Sequence, residues 1–476
     1  MQIEIKNIPT YVTKVSEELI RNGFEAFLVG GSIRDIILGK IPEDYDIATN
    51  AYPEEISKLF IKSIPTGAKF GTITVISEDD NGEKFDVQVT TYRSEADYVG
   101  GRWPSKVEFA RTIQEDLSRR DFTINSIALD LSTLNNEQQI LIDPYHGQED
   151  LNLKIIKAVG NPVERFEEDG LRSVRACRLA SQLQFTIEPK TFEAITQTLH
   201  ITKLVSVERF RDELLKLILK SPKPSIGLRL LKDTGILSIF IPEFVEGVDV
   251  IQPEFHSDDV FEHSILTVDE AEDSVKLAAL FHDIGKPRTI VKDEKGTHFY
   301  GHDLVGAEMT KEIMKRLKFS NAEIEETVKL VRWHMFYYPS ADWRKSEDIK
   351  DKPTHGWTDA AIRRLIQNVG GEEAIDQLLK LRIADQLSNK KYEFDRAELD
   401  AISERIANVK AKEMALKISD LDVTGNDLIE NFDIQPGPQI GKVLSYLLDK
   451  VIEEPGLNKK IDLLRLSKEF IDTNKL

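Results

Sequence analysis

Two aspartates one residue apart, Asp44 and Asp46, follow a glycine pair in the segment FLVGGSIRDIILGKIPEDYDIATN. The segment predicts a short strand that holds both aspartates, and alternate residues of a strand point to the same face. Two unit charges ~4 Å apart repel by about 4 kcal/mol at an effective dielectric constant near 20. Water at a loop edge would screen this repulsion. A divalent cation bound by both carboxylates would offset it. Mg²⁺ commonly binds one or two carboxylates together with substrate phosphates.

The glycine pair, Gly30 and Gly31, ends a predicted buried strand (AFLVG) and opens a predicted helix (SIRDIILG). Glycines at such a turn let backbone N–H groups approach a ligand, and a helix N-terminus favours an anion. A tight turn alone would also explain them. Together with Asp44 and Asp46, they indicate a phosphate-binding turn beside a metal site.

A second charged segment, EDLSRRDFTINSIALD, contains Arg119, Arg120 and Asp121 before a predicted half-apolar helix. Taken alone, the three residues are typical of a solvated charged turn. Next to a nucleotide, adjacent arginines can clamp phosphate oxygens, and an aspartate can accept a hydrogen bond from a ribose hydroxyl.

A third segment, NPVERFEEDGLRSVRACRLASQL, predicts one long amphipathic helix with Pro162 near its start. Asp169 and Arg172 are three residues apart and share a face of this helix, while Glu168 and Arg172 are four apart. A surface ion pair at this spacing is worth only about 0.3–0.5 kcal/mol.

Histidines are concentrated in the second half of the chain, in DVFEHSI, ALFHDIGKP, HFYGHDLVGA and VRWHMFYY, with RIADQLS downstream. Imidazole and carboxylate ligands in this number suit a transition-metal phosphohydrolase site. The candidate ligands are His263, His282, Asp283, His302, His334 and Asp385. His298 has no ligand role in this set, and a surface or packing position is expected for it.

Composition limits the function classes. The chain has 476 residues, 41% of them hydrophobic and 30% charged, which is typical of a globular protein with a substantial core. Its single cysteine, Cys177, excludes an intramolecular disulfide and a cysteine-built zinc site. No run resembles a membrane span or a signal peptide, so a cytoplasmic location is expected. The net charge of −19 argues against indiscriminate nucleic-acid binding but leaves room for a local basic groove.

The predicted elements change in character near residue 145. Before it, β-rich runs such as FGTITVIS and KFDVQVTTY alternate with helical runs such as PEEISKLF, which predicts an α/β head over residues 1–145. Helical periodicity prevails afterwards. We predict a helical neck over 146–240, a histidine-bearing helical domain over 241–390 and a helical tail over 391–476.

Five motifs occur in a fixed order: GGSIRDIILG with EDYDIAT, TGAKFGTITV, RRDFTINSIALD, DPYHGQEDL and RFEEDGLRSVRACRLA. Over about residues 25–220 they resemble the class II tRNA nucleotidyltransferases, the CCA-adding enzymes. The segment ISDLDVTGNDLIENFDIQPGPQIGKVL is similar to their bacterial tail, and the ordered histidines resemble the HD superfamily. The resemblance implies a polymerase-β-like mixed sheet as the head, followed by an all-α neck, an HD domain and a helical tail.

The resemblance also implies the chemistry, which is template-independent addition of C, C and A to the 3′ end of tRNA from CTP and ATP. Asp44 and Asp46 would hold two Mg²⁺ ions, while Asp169 and Arg172 would imitate the pairing edge of a nucleobase. The implied nucleotide-binding residues are Gly30, Gly31, Arg34, Asp35, Arg119, Arg120, Asp121, Asp169, Arg172, Arg175 and Arg178. The HD site would take Ni²⁺, Mn²⁺ or Co²⁺ and would have phosphatase or 2′,3′-cyclic phosphodiesterase activity.

Alternative activities stay open at the level of sequence. In CCA-adding relatives, a loop corresponding to TTYRSEADYVGGRWPSKVEF helps the site switch from CTP to ATP; Glu95, Asp97 and Arg102 are its candidate polar members here, and Gly100 replaces an expected aspartate. An enzyme that adds only A is one alternative. A poly(A) polymerase is another, although TGAKFGT stands where those enzymes have a Gly-Arg-Arg-Phe stretch. A metal-dependent phosphohydrolase whose head merely binds RNA is the third.

Two further features stay unassigned. Relatives often carry a glutamate at the position of Gln88, and the nearest carboxylate in this strand is Asp86, ~6.6 Å away along the chain. The lysines of ELLKLILKSPKP either contact tRNA phosphates or form a solvated helix face.

Overall fold

The computed structural model describes residues 8–67, 71–99, 103–136, 138–252, 258–294, 296–335, 358–389, 396–410, 417–432 and 434–474. The chain divides into two compact units, Met1–Pro242 and Glu243–Leu476. Among the described residues, no helix has both the length and the apolar character needed to cross a membrane. The predicted domain boundaries stay predictions.

The first unit is built on a seven-stranded mixed sheet with the order β3-β4-β5-β2-β1-β8-β9. Only β2 and β5 pair in parallel, and the other neighbours are antiparallel. The predicted mixed-sheet head is therefore confirmed. The strands are β1 (Phe27–Val29), β2 (Asp46–Thr49), β3 (Ser63–Gly67), β4 (Thr72–Glu78), β5 (Lys84–Thr91), β8 (Ala128–Asp130) and β9 (Leu141–Ile142), with a separate hairpin of β6 (Arg93–Val99) and β7 (Trp103–Phe109).

Five helices belong to the described part of the head, and apolar side chains from the central strands form its core. Leu28, Ile47 and Val89 are fully buried at the centre of the sheet. Tyr11 stacks on Phe85 of β5, with ring centroids 4.3 Å apart. The helices are α1 (Thr10–Arg21), α2 (Gly31–Ile37), α3 (Pro53–Leu59), α4 (Ile113–Ser118) and α5 (Gly147–Leu153).

The half-apolar helix predicted after Asp121 is wrong. A single 3₁₀ turn, Thr123–Asn125, is followed by β8, whose Leu129 lies opposite Leu28 of β1. The apolar run is too short for its periodicity to separate a strand from a buried helix. Cross-strand pairing with β1 decides the outcome.

Seven helices follow the head in the first unit. The long helix predicted around Asp169 is wrong, because the chain breaks there into α6 and α7. Asp169 is extended (φ −148°, ψ 108°), and a Cβ atom on Gly170 would lie 2.8 Å from the backbone of Ile201. The helices are α6 (Pro162–Glu168), α7 (Leu171–Leu183), α8 (Pro189–Gln197), α9 (Leu199–Thr202), α10 (Val207–Lys220), α11 (Pro224–Asp233) and α12 (Ile236–Phe240), with the short strands β10 (Ile155–Ile156) and β11 (Thr186–Ile187) between them.

Among its described residues, the second unit is helical apart from one hairpin of β12 (Ile290–Asp293) and β13 (Gly296–Phe299). Its first helices are α13 (Pro242–Val245), α14 (Val260–Glu270), α15 (Lys276–Phe281), α16 (His302–Arg316), α17 (Asn321–Trp333), α18 (Asp359–Val369) and α19 (Glu372–Ser388). The chain then continues through α20 (Arg396–Lys410), α21 (Gly425–Phe432), α22 (Pro438–Glu453) and α23 (Lys460–Asn474).

The end of α22 is joined to α18 by a buried arginine. The Arg363 guanidinium donates hydrogen bonds to the backbone carbonyl of Ile452 at 2.7 Å and to that of Glu453 at 3.2 Å. Only 5% of Arg363 is exposed. These bonds satisfy two carbonyls that the last turn of a helix leaves without intrahelical partners.

Candidate active site and metal centre

The two aspartates lie at the start of β2, in the middle of the sheet. The prediction that both belong to this strand is wrong, because β2 begins at Asp46 and Asp44 precedes it. Asp46 pairs with Val29 of β1 on one side and with Gln88 of β5 on the other. Asp46 is half-buried and Asp44 is exposed, and both line the same cavity.

The turn after β1 brings the backbone close to Asp46. Gly30 has a φ of +75°, a conformation that side chains disfavour. A Cβ atom at this position would lie 2.9 Å from a guanidinium nitrogen of Arg120 and 3.8 Å from Oδ2 of Asp46. Glycine is therefore needed here both for its backbone angle and for the space that it leaves.

The carboxylate pair fits a divalent metal. Burial raises the pKa of Asp46, the Arg120 charge partly offsets that rise, and the Asp44 charge adds to it. The protein alone thus leaves the charged form of Asp46 incompletely stabilised. Two hard oxygen donors held together in this way match the ligand preference of Mg²⁺.

Two cavities of about 420 Å³ each meet at Asp46. Their size lies within the ~300–1,000 Å³ that is usual for ligand sites. The first is lined by eight of the predicted nucleotide-binding residues: Gly30, Gly31, Arg119, Arg120, Asp121, Asp169, Arg172 and Arg175. The second is lined by Asp44 and by the predicted residues Gly31, Arg34, Asp35, Arg175 and Arg178.

A buried aspartate that the sequence analysis missed organises the arginine pair. One oxygen of Asp116 accepts hydrogen bonds from Arg119 at 3.0 and 2.8 Å, and the other accepts from Arg120 at 3.3 and 3.0 Å. Asp116 also accepts from the backbone N–H of Arg93, at the base of the β6–β7 hairpin. Burial favours its neutral form, but the two arginine charges outweigh this effect and lower the pKa of Asp116. Its position in EDLSRRD was the one available signal.

Replacing Asp116 with asparagine should therefore disturb nucleotide binding without touching the reacting groups. We expect the KM for CTP to rise by about tenfold or more with a smaller change in kcat, because both arginines lose their charged partner in a site only 1% exposed. Steady-state kinetics would measure the split. Glu115→Gln, which removes the same charge from an exposed position of α4, is the matched control. Equal effects of the two variants would contradict a positioning role for Asp116.

Asp121 lines the first cavity, but its oxygens already have protein partners. Oδ1 accepts from the backbone N–H of Phe122 at 2.8 Å and from the Asn125 amide at 3.1 Å, while Oδ2 accepts from Arg175 at 2.8 Å. Burial acts against the charge of Asp121, yet Arg175 and Asn125 lower its pKa to about 2. The side chain thus fixes Arg175 and Asn125, and the ribose contact expected from the sequence stays a prediction. Asn125 in turn accepts a hydrogen bond from Arg34 at 2.9 Å.

The predicted pairing of Asp169 with Arg172 takes a different form. Asp169 is held by Arg209 of α10, with nitrogen–oxygen distances of 2.7 and 3.2 Å. Arg172 donates to the Glu168 carboxylate and to the backbone carbonyl of Arg119. Asp169 and Arg172 both line the first cavity, but they do not share a helix face, because the chain breaks between them. Nothing in the sequence marks Arg209, which lies 40 residues from its partner.

The remaining expectations in the first unit have mixed outcomes. Gln88, and not Asp86, lies opposite Asp46 and lines the first cavity. Asp86 is exposed and pairs with Ile76. Glu95 and Asp97 belong to β6, but their side chains lie outside the described residues, as do Gly100 and Arg102 altogether.

In the second unit, the six predicted metal ligands lie together. The Nε2 atom of His263 is 3.0 Å from Asp385 and 3.6 Å from Asp283, and it is 3.2 Å from Nε2 of His282. The other oxygen of Asp283 lies 3.5 Å from Nε2 of His302 and 3.6 Å from that of His334. The ligand atoms form two groups, His263–His282–Asp283 and Asp283–His302–His334, so Asp283 belongs to both.

The histidine rings are oriented by hydrogen bonds on their outer nitrogens. The Nδ1 atoms of His282, His302 and His334 lie 2.8, 2.7 and 2.6 Å from backbone carbonyls. Carbonyls only accept, so each Nδ1 carries a proton and each Nε2 is the nitrogen that faces the cluster. Burial acts against the Asp283 charge, but His282 and Lys286 outweigh it and hold the pKa of Asp283 well below its usual range. Imidazole nitrogens around ionised carboxylates fit a transition-metal site.

His298 stands apart from this cluster. Its ring stacks on Tyr300 with centroids 5.3 Å apart, and its Nε2 lies 3.2 Å from Asp293. The surface position expected from the sequence agrees with these contacts.

Family models match three parts of the chain: the poly A polymerase head domain over residues 26–157, the probable RNA and SrmB-binding site of polymerase A over 184–247, and the HD domain over 254–390. The chain is 31% identical over 464 residues to the CCA-adding enzyme of Lactococcus lactis subsp. cremoris (strain SK11), covering 97% of this chain and 96% of that one. It is also 31% identical over 477 residues to the CCA-adding enzyme of Streptococcus mutans serotype c, covering 99% and 100%.

Solved structures of similar proteins have the same fold. The Bacillus stearothermophilus CCA-adding enzyme in complex with CTP has a TM-score of 0.68 at 25% identity, with 98% of each chain covered. The Thermotoga maritima CCA-adding enzyme complexed with tRNA has a TM-score of 0.51 at 18% identity, with 96% of this chain and 94% of that one covered. At that identity the second likeness concerns the fold alone.

Proposed function

This chain belongs to the CCA-adding enzymes, a family of nucleotidyltransferases, and we propose that it adds C, C and A to the 3′ end of tRNA from CTP and ATP. One observation carries the proposal: Asp44 and Asp46 lie beside a glycine turn and an arginine cluster, at a cavity of ligand size. Full-length relatives at 31% identity support the same activity.

In nucleotidyl transfer, the tRNA 3′-oxygen forms a bond to the α-phosphorus, the bond to the departing pyrophosphate breaks, and the hydroxyl proton passes to solvent. Asp44 and Asp46 would hold Mg²⁺, which activates the hydroxyl and stabilises the leaving pyrophosphate when bound. Gly30, which has no side chain and a φ of +75°, lets the turn after β1 lie close to Asp46 and Arg120. Arg119 and Arg120, fixed by Asp116, present cationic donors for phosphate oxygens.

Selection of the nucleobase would fall to Asp169 and Arg172 at the other side of the same cavity. A carboxylate accepts the exocyclic amino group that cytosine and adenine share, and it repels the carbonyl that guanine and uracil carry there. Arg209 lines the same cavity and holds Asp169 by two hydrogen bonds. In this proposal, the fixed carboxylate of Asp169 recognises the nucleobase, and Arg172 is the neighbouring hydrogen-bond donor.

The HD cluster supports a second activity, metal-dependent hydrolysis of a phosphate ester. We propose that the two ligand groups hold two divalent transition-metal ions, with Asp283 as their common ligand. The resemblance to the HD superfamily makes Ni²⁺, Mn²⁺ and Co²⁺ the candidates, and the mixed imidazole and carboxylate donors fit a transition metal. A 2′,3′-cyclic phosphate at a damaged tRNA end is the candidate substrate.

A cytoplasmic location and the domain boundaries stay predictions from the sequence.

Incorporation of labelled CTP and ATP, separately and together, into tRNA lacking its 3′ CCA tests the first proposal. We expect two C residues followed by one A in the presence of Mg²⁺. Addition of A alone, and only to tRNA that already ends in CC, would make the protein an A-adding enzyme. A long A tract on unrelated RNA would make it a poly(A) polymerase. No incorporation by folded protein would leave the HD site as the functional centre.

A further inference from the structure

An exposed aromatic pair lies at the end of the β12–β13 hairpin, next to the HD cluster. The rings of His298 and Tyr300 are stacked, with centroids 5.3 Å apart and planes inclined by 17°. His298 covers one face of the Tyr300 ring, yet 71% of Tyr300 is exposed. The Tyr300 ring therefore keeps one face open to solvent. Neither residue belongs to the six proposed metal ligands.

The hairpin holds this pair in place. His298 lies opposite Val291 of β12, and Nε2 of its ring is 3.2 Å from Asp293 at the end of the same strand. The Tyr300 ring packs in turn on the His298 ring. A flat ligand would thus meet a surface that is already ordered, which reduces the entropy cost of binding.

The same hairpin is attached to the metal ligands by two contacts. The backbone carbonyl of Phe299 lies 2.7 Å from Nδ1 of His302, and Nζ of Lys286 lies 5.7 Å from the centroid of the Phe299 ring. Lys286 also donates a hydrogen bond to Asp283, the common ligand, at 2.6 Å. Tyr300 is two residues from His302, so their Cα atoms are less than ~7.6 Å apart. The open aromatic face is therefore fixed close to the cluster.

A nucleobase is the ligand group that this surface suits. Unpaired bases commonly stack on exposed aromatic side chains, Tyr and His among them. A phosphate ester without a flat ring would gain nothing from the surface. We infer that the HD site takes a nucleoside 2′,3′-cyclic phosphate, free or at the end of an RNA, and that the open face of Tyr300 stacks on its base. This inference rests on the proposed hydrolytic function of the HD site.

The base takes no part in the bond changes of this hydrolysis. A water oxygen forms a bond to phosphorus, and the bond from phosphorus to one ribose oxygen breaks. That ribose oxygen takes a proton from the water, and the product is a 2′- or 3′-phosphomonoester. Because stacking is the same before and during these steps, Tyr300 contributes to KM and not to kcat.

The test is Tyr300→Ala, assayed with Mn²⁺, Ni²⁺ or Co²⁺ on two substrates. Adenosine 2′,3′-cyclic phosphate carries a base, whereas glycerol 1,2-cyclic phosphate has the same five-membered phosphate ring without one. We expect the KM for the adenosine substrate to rise by about tenfold or more, with kcat within about twofold. The KM for the glycerol substrate should change by less than about twofold. Tyr300→Phe keeps the ring and should keep the wild-type KM for both substrates.

Leu304→Ala is the matched control. Leu304 is 56% exposed and lies two residues after His302, as Tyr300 lies two residues before it. The variant removes exposed apolar surface at the same distance along the chain but removes no aromatic face. A short RNA ending in a 2′,3′-cyclic phosphate identifies the source of the substrate, because the larger kcat/KM of the wild-type protein shows whether it prefers the RNA end or the free nucleotide.

Two measurements do not depend on turnover. The Mn²⁺ content of Tyr300→Ala should equal that of the wild type, since no proposed ligand is lost. Its calorimetric affinity for adenosine 2′-monophosphate should be lower than that of the wild type, and the nucleotide site of the first unit is common to both proteins.

Equal changes in KM for the two substrates, or an equal loss in Leu304→Ala, would overturn the inference. A Tyr300→Phe variant as weak as Tyr300→Ala would do the same. Failure of the wild-type protein to hydrolyse either substrate would instead refute the proposed activity of the HD site, and the calorimetric comparison would still test the stacking by itself.

Discussion

Replacing Asp46 with asparagine is expected to reduce CTP incorporation by ~10³-fold or more. A metal ion contributes several kcal/mol to a transition state of this kind, and ~4 kcal/mol corresponds to ~10³ in rate. Asparagine keeps the size of the side chain but removes the negative charge that would bind the ion. Single-turnover incorporation with saturating CTP and Mg²⁺ measures the loss directly.

The thermal stability of the Asp46→Asn variant distinguishes a functional role of Asp46 from a structural one. Because burial and the Asp44 charge raise the pKa of Asp46, its ionisation destabilises the folded protein, and this cost is fully present at pH values above the raised pKa. Without added metal, the melting temperature of Asp46→Asn should therefore equal or exceed that of the wild type. A lower melting temperature together with the lost activity would indicate a structural role.

Asp86→Asn is the control for this experiment. Asp86 is an exposed carboxylate on β5, and it lines neither cavity. Surface substitutions usually change free energies by no more than ~0.5 kcal/mol, so activity should stay within about twofold of the wild type. A loss comparable with that of Asp46→Asn would make Asp86 a third catalytic carboxylate.

The second large effect is expected from Asp283→Asn. Since Asp283 belongs to both ligand groups, its loss should abolish binding of both metal ions and reduce hydrolysis of a 2′,3′-cyclic phosphate by ~10³-fold. Metal content after equilibration with Mn²⁺, Ni²⁺ or Co²⁺ measures binding apart from activity. CCA addition should persist, because its residues lie in the first unit. The melting temperature of the variant is the folding control for the second unit.

The variant His334→Gln tests whether the HD cluster binds two metal ions or one. It removes a ligand of one group and leaves His263, His282 and Asp283 in place. We expect the metal content to fall from two ions to one. A wild-type protein that binds one ion, with no effect of His334→Gln, would contradict the two-ion arrangement.

The local sequence pattern was sufficient to predict those parts of the site whose structure depends on neighbouring residues in the chain. Gly30 could be assigned to a turn because a buried apolar run precedes it, and Asp46 could be assigned to a strand because the apolar residues Ile47 and Ala48 follow it. The break at Gly170 could not be found in this way, since its cause is the close approach of Ile201 from another helix. The partner of Asp169 was missed for the same reason, because Arg209 meets it only through tertiary packing.

Burial of charged side chains was the second feature that could not be predicted from the sequence. Asp116 resembles an ordinary helix carboxylate in the sequence, and its importance arises from burial together with two arginines. The histidines gave the opposite case. They lie up to 122 residues from the other members of the cluster, so no local pattern could predict their contact. The cluster was predicted because the order of its motifs resembles that of a known family.

The Arg363 contact bears on how the second half of the chain can be divided. The order of motifs suggests an HD module that could be cut from its tail near residue 390. Such a truncation would remove the two carbonyls of α22 that receive the buried guanidinium. The excised fragment would then expose the part of α18 that α22 covers, with the Arg363 guanidinium left without its two carbonyl acceptors, and it would be a poor substitute for the intact half in expression or crystallisation. The histidine cluster and the tail are better regarded as parts of one compact unit.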